Sequence, residues 1–175
     1  MDAPKRVSVR GASGKKTRGQ QRRSTISLND FIPALVNRLA ACLVSAFAKE
    51  IEDFGISVSE WRVLLALDER SPYRLTELAD VTSIDVSTLS RLVRRLDERQ
   101  LCLVEIYGRD KRIATIELSP SGRKLLSSLL PIGRAYEKAL IEGMPAEEIM
   151  LCQKTLRLLY GNLRNFLDQR RDASE

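Results

Sequence analysis

The sequence predicts a mainly α-helical fold with one small β-hairpin, an α+β arrangement. The first observation behind this prediction is that apolar residues recur at helical spacing along most of the chain between residues 29 and 167. The second is that this spacing gives way to an alternating, β-branched pattern only over residues 102–118. The third is that capping and turn residues stand at the predicted boundaries.

The N-terminal segment differs in composition from the rest of the chain. Residues 1–24 contain eight basic residues against one acid, with three glycines and no aromatic residue. Such a segment cannot bury enough apolar surface to offset the entropy of ordering it. We therefore predict a disordered basic tail over residues 1–26, followed by a folded domain over 27–175.

Four helices are predicted before residue 101. The first begins near Asn29 or Asp30, which are suitable N-cap residues, and ends before Gly55. The second opens at the S-x-x-E sequence of residues 57–60, in which Ser and Glu can cap each other's amides. We predict a turn at the SPYR sequence, residues 71–74, and two shorter helices after it, over about 75–81 and 85–100.

The second half of the chain begins with the hairpin. Strands are predicted over residues 102–106 and 112–118, which flank a turn glycine. A long helix then opens at Ser119 and Pro120, and the last helix opens at Pro145. Apolar residues of the last helix alternate spacings of three and four, as in a coiled-coil seam: Ile149, Cys152, Leu156, Leu159, Leu163 and Phe166. This seam either packs inside the monomer or, as we predict, meets a partner chain.

The helix over 85–100 has two unlike faces. Its apolar residues line one side, whereas the other side carries Ser87, Ser90, Arg91, Arg94 and Arg95, with Thr88 at its edge. A tight turn precedes this helix and a hairpin follows it, which together predict a winged helix-turn-helix over residues 57–118. The second helix of this motif enters the DNA major groove, where Arg can bind guanine with two hydrogen bonds. The predicted DNA-binding residues are Arg74, Thr76, Ser87, Thr88, Ser90, Arg91, Arg94, Arg95, Arg109, Asp110 and Arg112.

From residue 57 to residue 124 the sequence resembles the multiple antibiotic resistance regulator (MarR) family. The stretches that carry the resemblance are SVSEWRVLLAL, LTELADVTSIDVSTLSRLVRRLDERQL, GRDKR and LSPSGRKLL. Two positions depart from the family pattern, since Gln100 replaces a frequent Gly and Val104 stands where Arg is common. The helix-turn-helix pattern also departs at Ser83, where Gly is frequent, and at Thr82, where an apolar residue is frequent.

The resemblance implies a homodimeric DNA-binding regulator, most often a repressor that binds a palindromic operator. By match to the wing motif, Arg112 would enter the minor groove and Asp110 would orient it. Dimerisation would use the first and last helical parts, residues 27–54 and 120–170. The predicted interface residues are Leu35, Leu39, Ile149, Cys152, Leu156, Leu159, Leu163 and Phe166.

The resemblance also implies a small-molecule effector that releases the DNA. The candidate ligand-binding residues are Asn37, Arg38, Trp61 and Tyr73. Each of them also has an ordinary interpretation as a packing or surface residue. The ligand classes expected for such a regulator are an aromatic acid, a phenol or an acyl-CoA thioester.

Several functional classes are disfavoured by what the sequence lacks. It contains no histidine and no glycine-rich nucleotide motif, so we predict neither an enzyme nor a metal or cofactor site. The longest nearly apolar run, residues 39–48, is about half a membrane span, so we predict a cytoplasmic protein without a membrane partner. The three cysteines are interpreted as small buried hydrophobic residues, with redox sensing as the alternative.

The sequence is also compatible with two other functions. The same fold could serve as a protein-interaction module that does not read DNA, or as a repressor that responds to oxidation of a cysteine. RNA binding is disfavoured because the basic segments contain almost no aromatic residues for base stacking.

Overall fold

The structure, a computed structural model, describes residues 27–107 and 113–173. In these ranges the elements are α1 (Ile32–Ile51), α2 (Val58–Glu69), β1 (Tyr73–Arg74), α3 (Leu75–Thr82), α4 (Val86–Glu98), β2 (Cys102–Tyr107), β3 (Ile113–Leu118), α5 (Pro120–Leu140) and α6 (Ala146–Asp172). A 3₁₀ turn, Glu52–Phe54, follows α1. The predicted fold class is confirmed, and the predicted tail, residues 1–26, lies outside the described residues.

The chain divides by its internal contacts into two units, Met1–Arg38 and Leu39–Glu175, with the boundary inside α1. In the first unit, α1 begins slightly later than predicted, because the carbonyl of Ser27 accepts hydrogen bonds from the amides of Asp30 and Phe31 in a preceding turn. The hydrophobic core lies in the second unit, where the helices and the sheet bury side chains such as Leu64, Leu89 and Ile116.

The helix-turn-helix is built by local capping and by a hydroxyl group inside the turn. Ser57 and Glu60 form the predicted capping box of α2, with the Ser57 amide donating to Glu60 Oε2 at 2.7 Å. Ser83 adopts a left-handed φ of 52° after α3, the conformation that explains the frequent Gly at this position. Thr82 is buried, and its hydroxyl donates to the Leu78 carbonyl, which satisfies the polar group.

The sheet has three antiparallel strands in the order β1-β3-β2. The predicted turn over 71–74 is therefore wrong for its last two residues, which form β1: Tyr73 pairs with Ile116, and Arg74 pairs with Thr115. A two-residue strand is too short to produce an alternating pattern, and it forms through its pairing with β3, with Tyr73 buried in the core. Gln100 has a left-handed φ of 58°, which accounts for the frequent Gly at that position.

The start of α5 packs closely against the base of the hairpin. Ser119 caps α5 by accepting from the Gly122 amide at 2.9 Å, and its hydroxyl donates to the Gln100 carbonyl at 2.6 Å. Gly122 is buried, and a Cβ atom at this position would collide with the backbone carbonyl of Leu101. The glycine is therefore required by a close approach of two backbones rather than by an unusual φ.

Gly122→Ala is expected to destabilise the protein although alanine favours helices. The intrinsic gain of about 1 kcal/mol is outweighed by overpacking against Leu101, which typically costs about 1–3 kcal/mol or more where backbone has to move. Urea unfolding followed by circular dichroism measures the difference, with the exposed neighbour Ser121→Ala as the control. A variant as stable as the wild type would mean that the hairpin base is not packed this closely.

Two helices expose more apolar surface than a soluble monomer usually does. No residue of α6 is buried. The segment Ile32–Phe54, which contains α1, is long and apolar enough to cross a membrane by length and composition, although it lacks a long uninterrupted apolar run. Within it, Phe47 and Ile51 are buried in the core of the second unit, as expected for a helix of a folded domain.

Candidate nucleic-acid interface

The helix α4 is positioned by its own sequence in two ways. Its N-terminus is capped by Asp85, which accepts from the Thr88 amide at 2.9 Å. Its apolar stripe is buried against the core and consists of Leu89, Leu92, Val93 and Leu96. The remaining face is thereby directed outward along the whole helix.

The outward face of α4 brings together most of the residues predicted to contact DNA. Ser87, Ser90, Arg91 and Arg94 are exposed, and their spacing puts them within about one-third of the helix circumference. Thr88 is exposed at the edge of this face. Arg94 donates to Glu98 at 3.0 Å, but both side chains are mostly exposed, so the pair is weak and Arg94 can exchange it for a DNA group.

The other predicted DNA contacts have different surroundings. Arg95 lies 3.3 Å from the carboxylate of the buried Glu60 on α2, so its guanidinium is engaged within the protein. Arg74 and Thr76 are exposed at the start of α3, where the Arg74 amide donates to Glu77. Their roles in DNA binding stay predictions. The wing residues Arg109, Asp110 and Arg112 lie outside the described residues.

The N-terminus of α4 carries a carboxylate that is strongly held in its ionised form. Asp85 Oδ1 also accepts from the Ser87 hydroxyl at 2.7 Å. Hydrogen bonds from Thr88, and next from Ser87, lower the pKa of Asp85 from 3.8 to about 2. Because the Ser87 hydroxyl donates its proton to Asp85, its oxygen remains available mainly as a hydrogen-bond acceptor.

Asp85→Asn is expected to flatten the acid limb of the stability curve. The pKa is lower in the folded state than in the unfolded chain, so the ionised carboxylate stabilises the fold above about pH 4 and this stabilisation is lost toward pH 2. Urea unfolding at several pH values measures the slope. An equally steep slope in the variant would indicate that Asp85 does not hold these hydrogen bonds in solution.

A second feature is a cavity of about 250 Å³ between α1, α2 and α5. Its walls are formed by Leu43, Val44, Phe47, Val58, Trp61, Gly133, Tyr136, Glu137 and Leu140. The Phe47 ring contacts two others edge to face, with centroids 4.6 Å from Trp61 and 5.5 Å from Tyr136. The Trp61 indole N–H is buried and has no hydrogen-bond partner among the described residues.

The cavity contains one of the four predicted ligand-binding residues, Trp61. Tyr73 is buried beside Arg70, whose guanidinium stacks 4.9 Å from the Tyr73 ring centroid, and Asn37 and Arg38 are exposed on α1. Sequence reasoning missed Phe47, Tyr136 and Glu137 as cavity residues. Helical periodicity indicates that Phe47 and Tyr136 face inward, but it does not indicate that they meet around an open volume.

The predicted dimer seam is exposed to varying degrees along α6. Leu156, Leu163 and Phe166 are each about half exposed, at 48%, 57% and 52%, and Cys152 is exposed. Ile149 and Leu159 are partly buried within the chain. On α1, Leu39 is exposed and Leu35 is partly buried.

The cysteines are not all buried, contrary to the prediction. Cys102 is buried, where desolvation first and the charge of Asp97 second raise its pKa to about 12. Its thiol is therefore protonated and unreactive at neutral pH. Cys42 and Cys152 are exposed in the single chain because they lie on α1 and α6, whose apolar faces are uncovered.

Comparison with known proteins identifies similar transcriptional regulators. The MarR family model matches residues 56–114. The HTH-type transcriptional repressor NicR of Pseudomonas putida is 26% identical over 119 residues, which are 68% of this chain and 75% of NicR.

Comparison with solved structures also identifies transcriptional regulators as similar proteins. A MarR-family transcriptional regulator from Silicibacter pomeroyi has a TM-score of 0.72 and 27% identity, over 78% of this chain and 92% of that one. BpsR of Bordetella bronchiseptica, whose DNA binding is regulated by 6-hydroxynicotinic acid, has a TM-score of 0.68 and 25% identity, over 74% of this chain and 98% of that one.

Proposed function

We propose that the chain is a member of the MarR family of DNA-binding transcriptional regulators, and that it is a homodimeric repressor released from a palindromic operator by a small aromatic ligand. Members of this family are DNA-binding regulators rather than enzymes. The observation that carries the proposal is the exposed face of α4, on which Arg91 and Arg94 stand beside Ser87 and Ser90.

This face has the chemistry required to read a major groove. Arg donates two parallel hydrogen bonds to guanine O6 and N7, and Ser can bind base edges or phosphate. The N-terminal half of a recognition helix makes most base contacts. Arg91 lies in that half, and Arg94 follows it after about one helical turn.

The uncovered apolar face of α6 supports the homodimer. Its half-exposed leucine and phenylalanine side chains would lose contact with water against a second copy of the same helix. A dimer would hold two α4 helices at a fixed separation, and successive major grooves are roughly 34–36 Å apart. The operator would then be an imperfect palindrome with half-sites one helical turn apart.

The apolar surface of α1 supports an interface rather than a membrane span. The C-terminal part of the helix buries Phe47 and Ile51 in the domain core, and Lys49 and Glu50 stand exposed between them. Placing this helix in a bilayer would require the core to open. We assign the protein to the cytoplasm, where its DNA partner lies.

The cavity beside Trp61 supports an aromatic effector. Its volume is small for a ligand site, so a single ring fits better than a CoA thioester, most of which would remain outside. Glu137 is the one charged residue among its lining residues, so the site suits a phenol better than a carboxylate anion. BpsR, a related regulator, responds to a small aromatic compound, 6-hydroxynicotinic acid.

Ligand binding is expected to change the fluorescence of Trp61, the single tryptophan of the chain. Phenol, salicylate and 6-hydroxynicotinic acid form a suitable panel, and phenol is expected to bind most tightly. Gly133→Leu places a side chain against Trp61 and should abolish the change, whereas Ala135→Leu, at an exposed position of the same helix, should not. An equal response in both variants would mean that the ligand binds elsewhere.

The DNA-binding function is tested with the promoter region beside the protein's own gene. A mobility shift with this DNA and with random DNA, in graded salt, should give a clear preference for the promoter. A protein-interaction module would show no preference. Addition of peroxide to the same complex tests the redox alternative, with Cys42→Ser and Cys152→Ser as the variants that should remove any response.

A further inference from the structure

Glu60 is a buried carboxylate whose position is unusual for a capping residue. Its side chain is only 1% exposed, although it lies in the first turn of α2. Oε2 accepts from the amide and the hydroxyl of Ser57, at 2.7 and 2.9 Å. A capping role therefore accounts for one of its two carboxylate oxygens.

The second carboxylate oxygen of Glu60 faces α4, the proposed recognition helix. Oε1 lies 3.3 Å from Nη2 of Arg95 and 3.9 Å from Nη1 of Arg99, both of which project from the C-terminal end of α4. It accepts no hydrogen bond from the described residues. Arg99 also donates to the Gly55 carbonyl at 2.9 Å, just before α2. The Glu60 carboxylate thus joins α2 to α4, and Arg99 adds a link to the turn before α2.

The ion pairs constrain the position of α4 because the buried carboxylate of Glu60 has few other partners. A carboxylate removed from water is strongly destabilising unless cations remain close to it. Arg95 and Arg99 are partly exposed and could move into solvent, but Glu60 cannot. The ion pairs therefore hold α4 at the orientation that keeps its two arginines near Oε1.

The neighbouring residue connects this cluster to the cavity. Trp61 follows Glu60 in α2, and consecutive helical side chains leave the axis about 100° apart. One side of the first turn of α2 therefore meets the cavity, and the adjoining side meets α4. A shift of Trp61 would move Glu60 with it, since both belong to the same helical turn.

We propose that Glu60 is a positioning residue that orients the recognition helix through Arg95 and Arg99 and transmits occupancy of the Trp61 cavity to it. Arg91 lies one helical turn before Arg95, so a tilt of α4 at Arg95 displaces the residues that would read DNA. This inference rests on the proposed function for its effect on operator binding, but the orientation of α4 in the free protein does not depend on it.

Glu60→Gln tests the positioning role, because it keeps the side-chain size and an oxygen acceptor for Ser57 while removing the charge. We expect the preference for operator over random DNA to fall by roughly tenfold, within the range that one arginine–guanine contact contributes. In the free protein, the backbone amides of the last turn of α4 should exchange with deuterium faster. Glu52→Gln, which removes an exposed carboxylate from the neighbouring 3₁₀ turn, should change neither quantity.

The outcomes separate the inference from the proposed function. A wild type without operator preference contradicts the proposed function, whereas unchanged amide exchange in Glu60→Gln overturns the inference whatever the DNA result. If Glu60→Gln does not fold, Arg95→Gln tests the same pair from its exposed side. Glu60→Gln combined with Arg95→Gln should lose no more preference than Glu60→Gln alone; additive losses would overturn the route through Arg95.

The link to the cavity has its own measurement. Phenol, or whichever compound of the panel quenches Trp61, should bind Glu60→Gln within about twofold of the wild type but should release much less DNA from it. The expected wild-type effect on operator affinity is roughly fivefold to 150-fold. Full release from Glu60→Gln would overturn the transmission role, and failure of every compound to quench Trp61 would contradict the proposed effector.

Discussion

Leu156→Glu is expected to convert the protein from a dimer to a folded monomer that no longer binds its operator. Leu156 is 48% exposed in the single chain, so a carboxylate there remains hydrated and the monomer is not strained. In the proposed dimer, two carboxylates would be buried near the symmetry axis without partners, at a cost on the order of 3–5 kcal/mol each. Sedimentation equilibrium and an operator mobility shift measure the two losses.

The control for this variant is Asn165→Glu. Asn165 is exposed on the same helix, and its position two and a half turns after Leu156 puts it on the opposite side of α6. It introduces the same charge and should leave the dimer and operator binding intact. If Leu156→Glu remained dimeric, α6 would not form the interface; if the wild type were monomeric and still protected a palindrome, the homodimer proposal would be wrong.

Arg91→Ala and Arg94→Ala are expected to weaken operator binding and to relax base preference at one or two positions. A bidentate contact between arginine and guanine discriminates by about 1–3 kcal/mol, and both side chains lie on the exposed face of α4. Arg94 must first leave Glu98, but an exposed ion pair of this kind is worth less than about 1 kcal/mol. Binding to a library of single-base operator variants measures the preference at each position.

Arg134→Ala is the matched control for the loss of an arginine. Arg134 is exposed on α5, outside the helix-turn-helix, and its removal changes the net charge by the same amount. It should reduce neither affinity nor base preference appreciably. If Arg91→Ala and Arg94→Ala weakened binding to operator and random DNA equally, these residues would contact phosphate and not bases.

The local structure of the helix-turn-helix was predictable from residues close together in the chain. The capping box of Ser57 and Glu60, the cap at Asp85 and the two faces of α4 all depend on spacings of three or four residues. The same holds for Arg91 and Arg94, because a helix with a buried leucine stripe has one remaining direction for its other side chains. Short elements were harder to predict from the sequence, because β1 depends on pairing with β3, about forty residues later in the chain.

The sequence by itself determined the order of the elements, the capped ends of the helices and the exposed face of α4, because these follow from contacts within one or two helical turns. Only the tertiary structure decided what the buried faces meet. It placed Phe47, Trp61 and Tyr136 around a cavity, made Gly122 the contact point between α5 and Leu101, and turned Glu60 from a capping residue into the partner of Arg95. Periodicity specifies the direction of a side chain relative to its own helix, whereas its neighbour across the core depends on how distant segments pack.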